Sequence, residues 1–140
     1  MAQYDNLPVY KQSYDLLLQL FHVCQNMERD YKFTLGESIK KETVEMIINV
    51  FRANCKEDKI PYITFARENV EVIRLLVRLL QDMKQMGLKE FVSINEKVES
   101  ISKQLTAWAH SRSHKPRKDT ATATNGQSLG GLFAFQERAD

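Results

Sequence analysis

The sequence predicts an all-α protein, an antiparallel up-down-up-down four-helix bundle with a C-terminal tail. Three observations lead to this class. The chain has only 5 Gly and 3 Pro in 140 residues, its apolar residues recur at steps of three and four over long runs, and the connections between those runs are short. We expect the bundle to occupy residues 1–113 and a flexible tail to occupy residues 114–140.

The first helix is expected to begin near Pro8, because proline suits the first helical turn. The residues expected to face the core follow at steps of four and three: Tyr10, Tyr14, Leu17, Phe21 and Cys24. The segment 30–36 loses this period and indicates a connection. Thr34, followed three residues later by Glu37, has the capping-box pattern that starts a helix.

The three remaining helices follow from the same periodicity. The core-facing residues of the second are Leu35, Ile39, Thr43, Met46, Val50 and Phe51, and this helix is expected to stop at the charged turn 54–59. The third is expected to run from Pro61 to Met86, with Gly87 as its C-terminal glycine. The fourth carries Phe91, Ile94, Val98, Ile101, Leu105 and Trp108 at steps of three and four.

The third helix has more apolar surface than one core requires. One stripe holds Ala66, Val70, Ile73, Val77 and Leu80, and a second holds Val72, Leu76, Leu79, Met83 and Met86. Together they cover roughly 200° of the helix, where a surface helix needs little more than about 100°. The excess predicts that Leu76, Leu79 and Met83 lie at an interface between copies of the chain.

Three arginines lie on one ridge of the same helix. Arg67, Arg74 and Arg78 fall at about 60°, 40° and 80° when Val70 is set to zero. One interpretation is a solvated ridge in which Glu71 pairs with Arg74 and Asp82 with Arg78. The other is phosphate binding, for which arginine offers forked donors, and a symmetric oligomer would repeat them as a belt.

The overall charge does not decide between these interpretations. The net charge is +2, and residues 1–110 hold equal numbers of cations and acids, whereas the segment 111–118 holds four cations and no acid. Clustering on one surface matters more for nucleic-acid binding than the sum. The tail also contains a small apolar patch at residues 132–135, which is either without consequence or a docking peptide for a partner.

Several classes of function find no support in the residues. The sequence contains no phosphate-cradling glycine loop, nucleophile elbow or zinc-protease motif, so we expect no enzyme and no cofactor. His110 and His114 are four residues apart, but with no clear third ligand we expect no metal. Cys24 and Cys55 match no metal or redox spacing. Without an 18-residue apolar run or a signal-peptide core, a cytoplasmic protein without membrane association is expected.

Four segments, taken in order, resemble one family of small bacterial and phage proteins. They are Leu7-Pro8-Val9-Tyr10-Lys11, Gly36-Glu37-Ser38-Ile39-Lys40-Lys41-Glu42, Ile73-Arg74-Leu75-Leu76-Val77-Arg78-Leu79-Leu80 and Ser102-Lys103-Gln104-Leu105-Thr106-Ala107-Trp108. The family includes the accessory variability determinant (Avd) of diversity-generating retroelements and related proteins encoded in intervening sequences of large-subunit ribosomal RNA genes. The resemblance spans about residues 4–112.

The resemblance implies a function as well as a bundle. Avd-like proteins are non-catalytic homopentamers with a basic surface that bind nucleic acid and the retroelement's reverse transcriptase. They support mutagenic copying of a template RNA into cDNA. The family's Arg-x-x-x-Arg pair matches Arg74 and Arg78, and Arg67, Lys11 and Lys103 are further expected contacts to nucleic acid.

Two alternatives remain open on the sequence. One is a bundle of the rRNA intervening-sequence type. The other is a protein-interaction adaptor that does not bind nucleic acid and whose arginines are solvated.

Overall fold

Four long helices pack side by side in a computed structural model that describes residues 6–113. Their bounds are α1 (Pro8–Gln25), α2 (Glu37–Cys55), α3 (Ile60–Asp82) and α4 (Leu88–Ser113). Each helix packs against its neighbours in sequence, and α1 also packs against α4, which closes the bundle. The predicted fold class is therefore confirmed, while the tail predicted at residues 114–140 lies outside the described residues.

The core-facing seam predicted for α1 is wrong. The buried residues are Val9, Ser13, Leu16, Leu20, Val23 and Cys24, whereas Tyr14 and Phe21 are exposed. Ser13 is tolerated in the core because its hydroxyl donates to the carbonyl of Val9 at 2.7 Å. Of the predicted residues only Cys24 is fully buried. Burial raises the pKa of its thiol, and the Lys40 ammonium acts in the opposite direction.

The segment between α1 and α2 is helical, contrary to the predicted connection. A short helix at Arg29–Tyr31 leads into a π-helical turn at Lys32–Gly36 and directly into α2. Thr34 is not a capping residue, because its hydroxyl donates to the carbonyl of Asp30 at 2.6 Å within this turn. Gly36 lies against α1, where an added Cβ would be 3.4 Å from the sulfur atoms of Cys24 and Met27. This close approach explains a glycine inside a helical path.

A lysine joins the end of α2 to the start of α3. The Lys59 ammonium donates to the carbonyls of Ala53, Asn54 and Lys56 at 2.9–3.0 Å. These carbonyls lie at the negative end of the α2 dipole, where a cation is favourable. The turn predicted at 54–59 is thus held by one side chain.

The end of α3 differs from the prediction in both position and residue. The helix ends at Asp82, not Met86, and Lys84 adopts the left-handed conformation with φ of 59°. The amide of Gln85 donates to the carbonyl of Leu80, and the amide of Lys84 donates to that of Gln81. These two bonds form a Schellman motif. Gly87, the predicted C-terminal glycine, instead precedes α4.

Replacing Lys84 with glycine should stabilise the protein by about 1 kcal/mol, because glycine adopts this conformation without the Cβ penalty. Chemical denaturation would measure the difference. Gly87→Ala is the control, since a Cβ there meets no atom within 4 Å and should leave the free energy of unfolding nearly unchanged. Equal effects of the two variants would contradict this account of the turn.

The core predicted for the other three helices is largely confirmed. In α3 the first apolar stripe is buried throughout, and in α4 Ile94, Val98, Ile101 and Leu105 are buried. In α2 Ile39, Thr43, Met46 and Val50 are buried, but Phe51 is 40% exposed. A buried amide pair joins α2 to α3. Asn49 donates to Asn69 at 2.9 Å, and Asn69 donates to Glu42.

A polar seam joins α1 to α4. Gln19 donates to Glu90 at 2.9 Å and accepts from Lys97 at 2.7 Å, and Gln104 donates to Gln12 at 2.7 Å. Gln12 and Gln19 therefore mark the side of α1 that faces α4. The apolar side chains that α1 exposes lie on other sides of this helix.

Candidate nucleic-acid interface

The three arginines of α3 lie on the side of the helix that faces α4. Arg74 forms an ion pair with Glu99 of α4, which fixes this orientation. Arg67 lines a groove of about 310 Å³ between the two helices, together with Ser102 and Thr106 of α4. Arg78 is exposed one turn after Arg74. The structure thus brings the arginine ridge to one face of the bundle, formed by α3 and α4.

The charges on this face are mixed. Arg74 also pairs with Glu71 at 3.4 Å, as the solvated interpretation predicts. The expected pair between Arg78 and Asp82 is absent among the described ion pairs, and Arg67 and Arg78 form no ion pair within residues 6–113. Two of the three guanidinium groups are therefore open to an anionic ligand. Arg74 would have to release its carboxylate partners before it could bind such a ligand.

Three hydroxyl groups line the groove beside Arg67, and the sequence alone did not identify them. Thr64 of α3 and Ser102 and Thr106 of α4 line the groove beside Arg67, along with Glu68 and Glu71. Serine and threonine hydroxyls are common donors to phosphate oxygens. Ser102 and Thr106 are four residues apart, so helical spacing could have placed them on one side of α4, but the side that meets α3 depends on the tertiary packing.

The two lysines predicted to contact nucleic acid lie in different places. Lys103 is exposed on α4 one turn after Glu99, close to the arginine face. Lys11 is exposed on α1, which packs between α2 and α4 and is diagonal to α3. Within one subunit, the structure therefore brings together Arg67, Arg74, Arg78 and Lys103, but not Lys11.

The predicted interface stripe on α3 is only partly open. Leu76 and Leu79 are half-buried, and Leu76 packs against the core, whereas Met83 is 43% exposed. Val72 and Leu75 are also exposed on this helix. The role of Leu76, Leu79 and Met83 in assembly stays a prediction.

Two other kinds of site find no support in the described part of the chain. Residues 6–113 contain no group of three or more His, Cys, Asp or Glu side chains that could hold a metal ion. Over the same residues, none of the helices combines the length and the apolar character needed to cross a bilayer.

Comparisons with known proteins agree with the bundle. The bAvd-like family model matches residues 8–112. Among solved structures, the chain is similar to a protein of unknown function from the S23 ribosomal protein family of Bacteroides thetaiotaomicron, with 18% identity and a TM-score of 0.68. That match covers 77% of this chain and 99% of the other. No curated protein matches the chain.

Proposed function

Because the chain belongs to the bAvd-like family, we propose that it is a non-catalytic accessory protein of a diversity-generating retroelement. In this role it binds nucleic acid and the retroelement's reverse transcriptase in the cytoplasm and supports mutagenic cDNA synthesis from template RNA. The observation that carries the proposal is the family match, which extends over the whole bundle at residues 8–112.

The arginine face is the proposed contact to nucleic acid. Arg67 and Arg78 carry exposed guanidinium groups without carboxylate partners in the described residues, and Lys103 adds a cation on the adjacent helix. The hydroxyls beside Arg67 supply neutral donors to phosphate oxygens. Because cationic and hydroxyl side chains contact the phosphates of nucleic acids more often than the base edges, we expect an affinity that depends strongly on salt and weakly on base sequence.

The proposed assembly is a homopentamer, which would repeat the arginine face five times. The exposed and half-buried side chains on the second stripe of α3 support a contact between subunits there. Lys11, which is remote from the arginine face within a subunit, would contribute only if assembly placed it near a neighbour's cations.

Replacing Leu79 with glutamate should shift the protein from oligomer to monomer at micromolar concentration, because a charge in an apolar interface loses its hydration. Light scattering would measure the mass. Leu88→Glu is the matched control, because Leu88 is an exposed leucine at the start of α4, and it should leave the mass unchanged. A monomeric parent protein at the same concentration would contradict the assembly itself.

One observation favours the adaptor alternative. Arg74 is already paired with two carboxylates, Glu71 and Glu99, and these acids lower the positive potential of the face. In that case the bundle would bind only protein and would not shift RNA in a gel. An rRNA intervening-sequence role would instead be indicated by the absence of a neighbouring reverse transcriptase gene and template repeat.

Co-purification with the neighbouring reverse transcriptase, combined with gel shifts of RNA at low and high salt, tests the proposal. The expected result is a complex with the enzyme and RNA binding that weakens steeply as salt rises. A protein that binds neither the reverse transcriptase nor RNA would overturn the proposal. Binding of the reverse transcriptase without RNA would favour the adaptor alternative.

A further inference from the structure

The proposed function gives no role to an apolar face on α1 and α2. Six large hydrophobic side chains there are between 39% and 54% exposed: Tyr14, Leu18, Phe21, Val44, Ile48 and Phe51. They recur at steps of four and three on each helix, so each set lies along one side of its helix. A contiguous apolar patch of this kind on a single chain commonly marks a binding surface.

Contacts between the helices show that the two sets adjoin. The Lys40 ammonium of α2 lies 4.8 Å from the centre of the Phe21 ring of α1. On α1 the side turned towards α4 is occupied by Gln12 and Gln19, and on α2 the side turned towards α3 is occupied by Asn49. The exposed hydrophobic residues are thus left on the outer surface that α1 and α2 share.

The chain itself contains a segment suited to this face. Beyond the last described residue, Ser113, the sequence is polar and rich in small residues until Leu132-Phe133-Ala134-Phe135. This segment has three large apolar side chains and is followed by Glu137, Arg138 and Asp140, which together carry a net charge of −1. Lys11 of α1 and Lys41 of α2 are exposed on the two helices that form the face, so the acids after the apolar segment have cations nearby.

The length between Ser113 and Leu132 matches the distance required. The end of α4 lies at the same end of the bundle as the start of α1 and the end of α2. Counted from that end at 1.5 Å per residue, the exposed residues from Phe51 to Phe21 lie roughly 6–20 Å along the bundle. The eighteen residues between Ser113 and Leu132 can reach at most about 60 Å when fully extended, which is enough to pass around the end of the bundle to this face.

We propose that residues 132–135 dock on the apolar face of α1 and α2 of the same chain. The docked tail covers apolar side chains that would otherwise be exposed to solvent. A partner that binds this face must displace the tail. The tail would then act as a built-in competitor for the face. This inference does not depend on nucleic-acid or polymerase binding.

A spin label on the tail of the full-length chain tests the proposal. In a Cys55→Ser background, Gln136→Cys carries the nitroxide, while Cys24 stays buried. Methyl signals of Leu18, Val44 and Ile48 should broaden strongly, and those of Val92 on α4 should not. Adding Phe133→Glu and Phe135→Glu should abolish the broadening. No broadening at the face, or equal broadening on all helices, would overturn the proposal.

Two further measurements separate the possible occupants of the face. In the first, a chain that carries the nitroxide but no NMR-active isotopes is mixed with an isotope-enriched chain that carries no nitroxide. The methyl signals at the face should then stay sharp. Broadening that occurs mainly in this mixture would mean that the tail docks on another copy, contrary to the proposal. The Phe133→Glu, Phe135→Glu variant should also bind several-fold more of the apolar dye ANS than the parent, and Leu18→Glu in that variant should remove much of the increase. Unchanged dye binding in the tail variant would likewise contradict docking.

Discussion

Replacing Arg74 and Arg78 together with alanine should weaken RNA binding by at least about tenfold at low salt and leave the bundle folded. Each arginine that contacts a phosphate releases counterions, so the loss of such contacts lowers the affinity and flattens its dependence on salt. A pentamer would lose ten guanidinium groups at once. The cost to folding should be about 1 kcal/mol or less, because Arg74 is partly exposed and its ion pairs lie at the surface.

The measurement is an RNA titration across a salt series, with helicity and oligomer mass checked for each variant. Lys41→Ala with Arg52→Ala is the matched control, because both residues are exposed cations on α2 and neither lies on α3 or α4. This pair removes the same charge without touching the arginine face. If both double variants lose affinity equally, net charge and not the arginine face carries the binding.

The single variants should differ in a way that the ion pairs determine. Arg78 has no carboxylate partner in the described residues, whereas Arg74 pairs with Glu71 and Glu99. Arg78→Ala should therefore cost more affinity than Arg74→Ala, and Glu99→Gln should raise affinity by freeing Arg74. A folded and assembled double variant that binds RNA and the reverse transcriptase as well as the parent would refute the assignment of these arginines.

Part of this face could be predicted from the sequence because it depends on one helix. The shared side of Arg67, Arg74 and Arg78 follows from 100° per residue, and so does the Glu71–Arg74 pair. The pair with Glu99 depends on which side of α4 meets α3, and no local pattern gives that. The same limitation explains Lys11, whose place on the diagonal helix is set by the closure of the bundle.

The ends of the helices show a second limit. Gly87 has the composition of a helix terminator, yet the left-handed position belongs to Lys84. A helix can end with a non-glycine residue in that conformation when backbone bonds such as Gln85 to Leu80 compensate. Likewise Thr34 and Glu37 match a capping box, but the chain enters α2 through a π-helical turn packed on Cys24, and that turn depends on tertiary contact.

The register of α1 is the clearest error, and its cause is physical. Helix α1 has two apolar stripes, and the one that the structure buries includes the polar Ser13. The aromatic stripe with Tyr14 and Phe21 has the larger apolar area, but its bulky rings lie at the outer surface, and smaller aliphatic residues fill the centre. Because Ser13 satisfies its hydroxyl within the helix, its polarity does not oppose burial.

Three leucines on α1 allow a direct test of this register. Leu20→Ala should lower the free energy of unfolding by about 2–5 kcal/mol, because Leu20 is fully buried and its truncation leaves a cavity. Leu17→Ala should cost less, since Leu17 is half-buried. Leu18→Ala should change the free energy by only about 0.5 kcal/mol, as expected at an exposed position.

Chemical denaturation of the three variants, at one protein concentration, measures this order. The three leucines are chemically identical and share one helix, so differences in helix propensity cancel and only the environment of each side chain remains. The seam through Tyr14 and Phe21 predicts the opposite order, with Leu17 more costly than Leu20. If Leu17→Ala destabilises the protein as much as Leu20→Ala, the register of α1 is wrong. The assignment of the apolar face of α1 and α2 would then be wrong as well, because Tyr14, Leu18 and Phe21 can be exposed only while Leu16 and Leu20 point into the core.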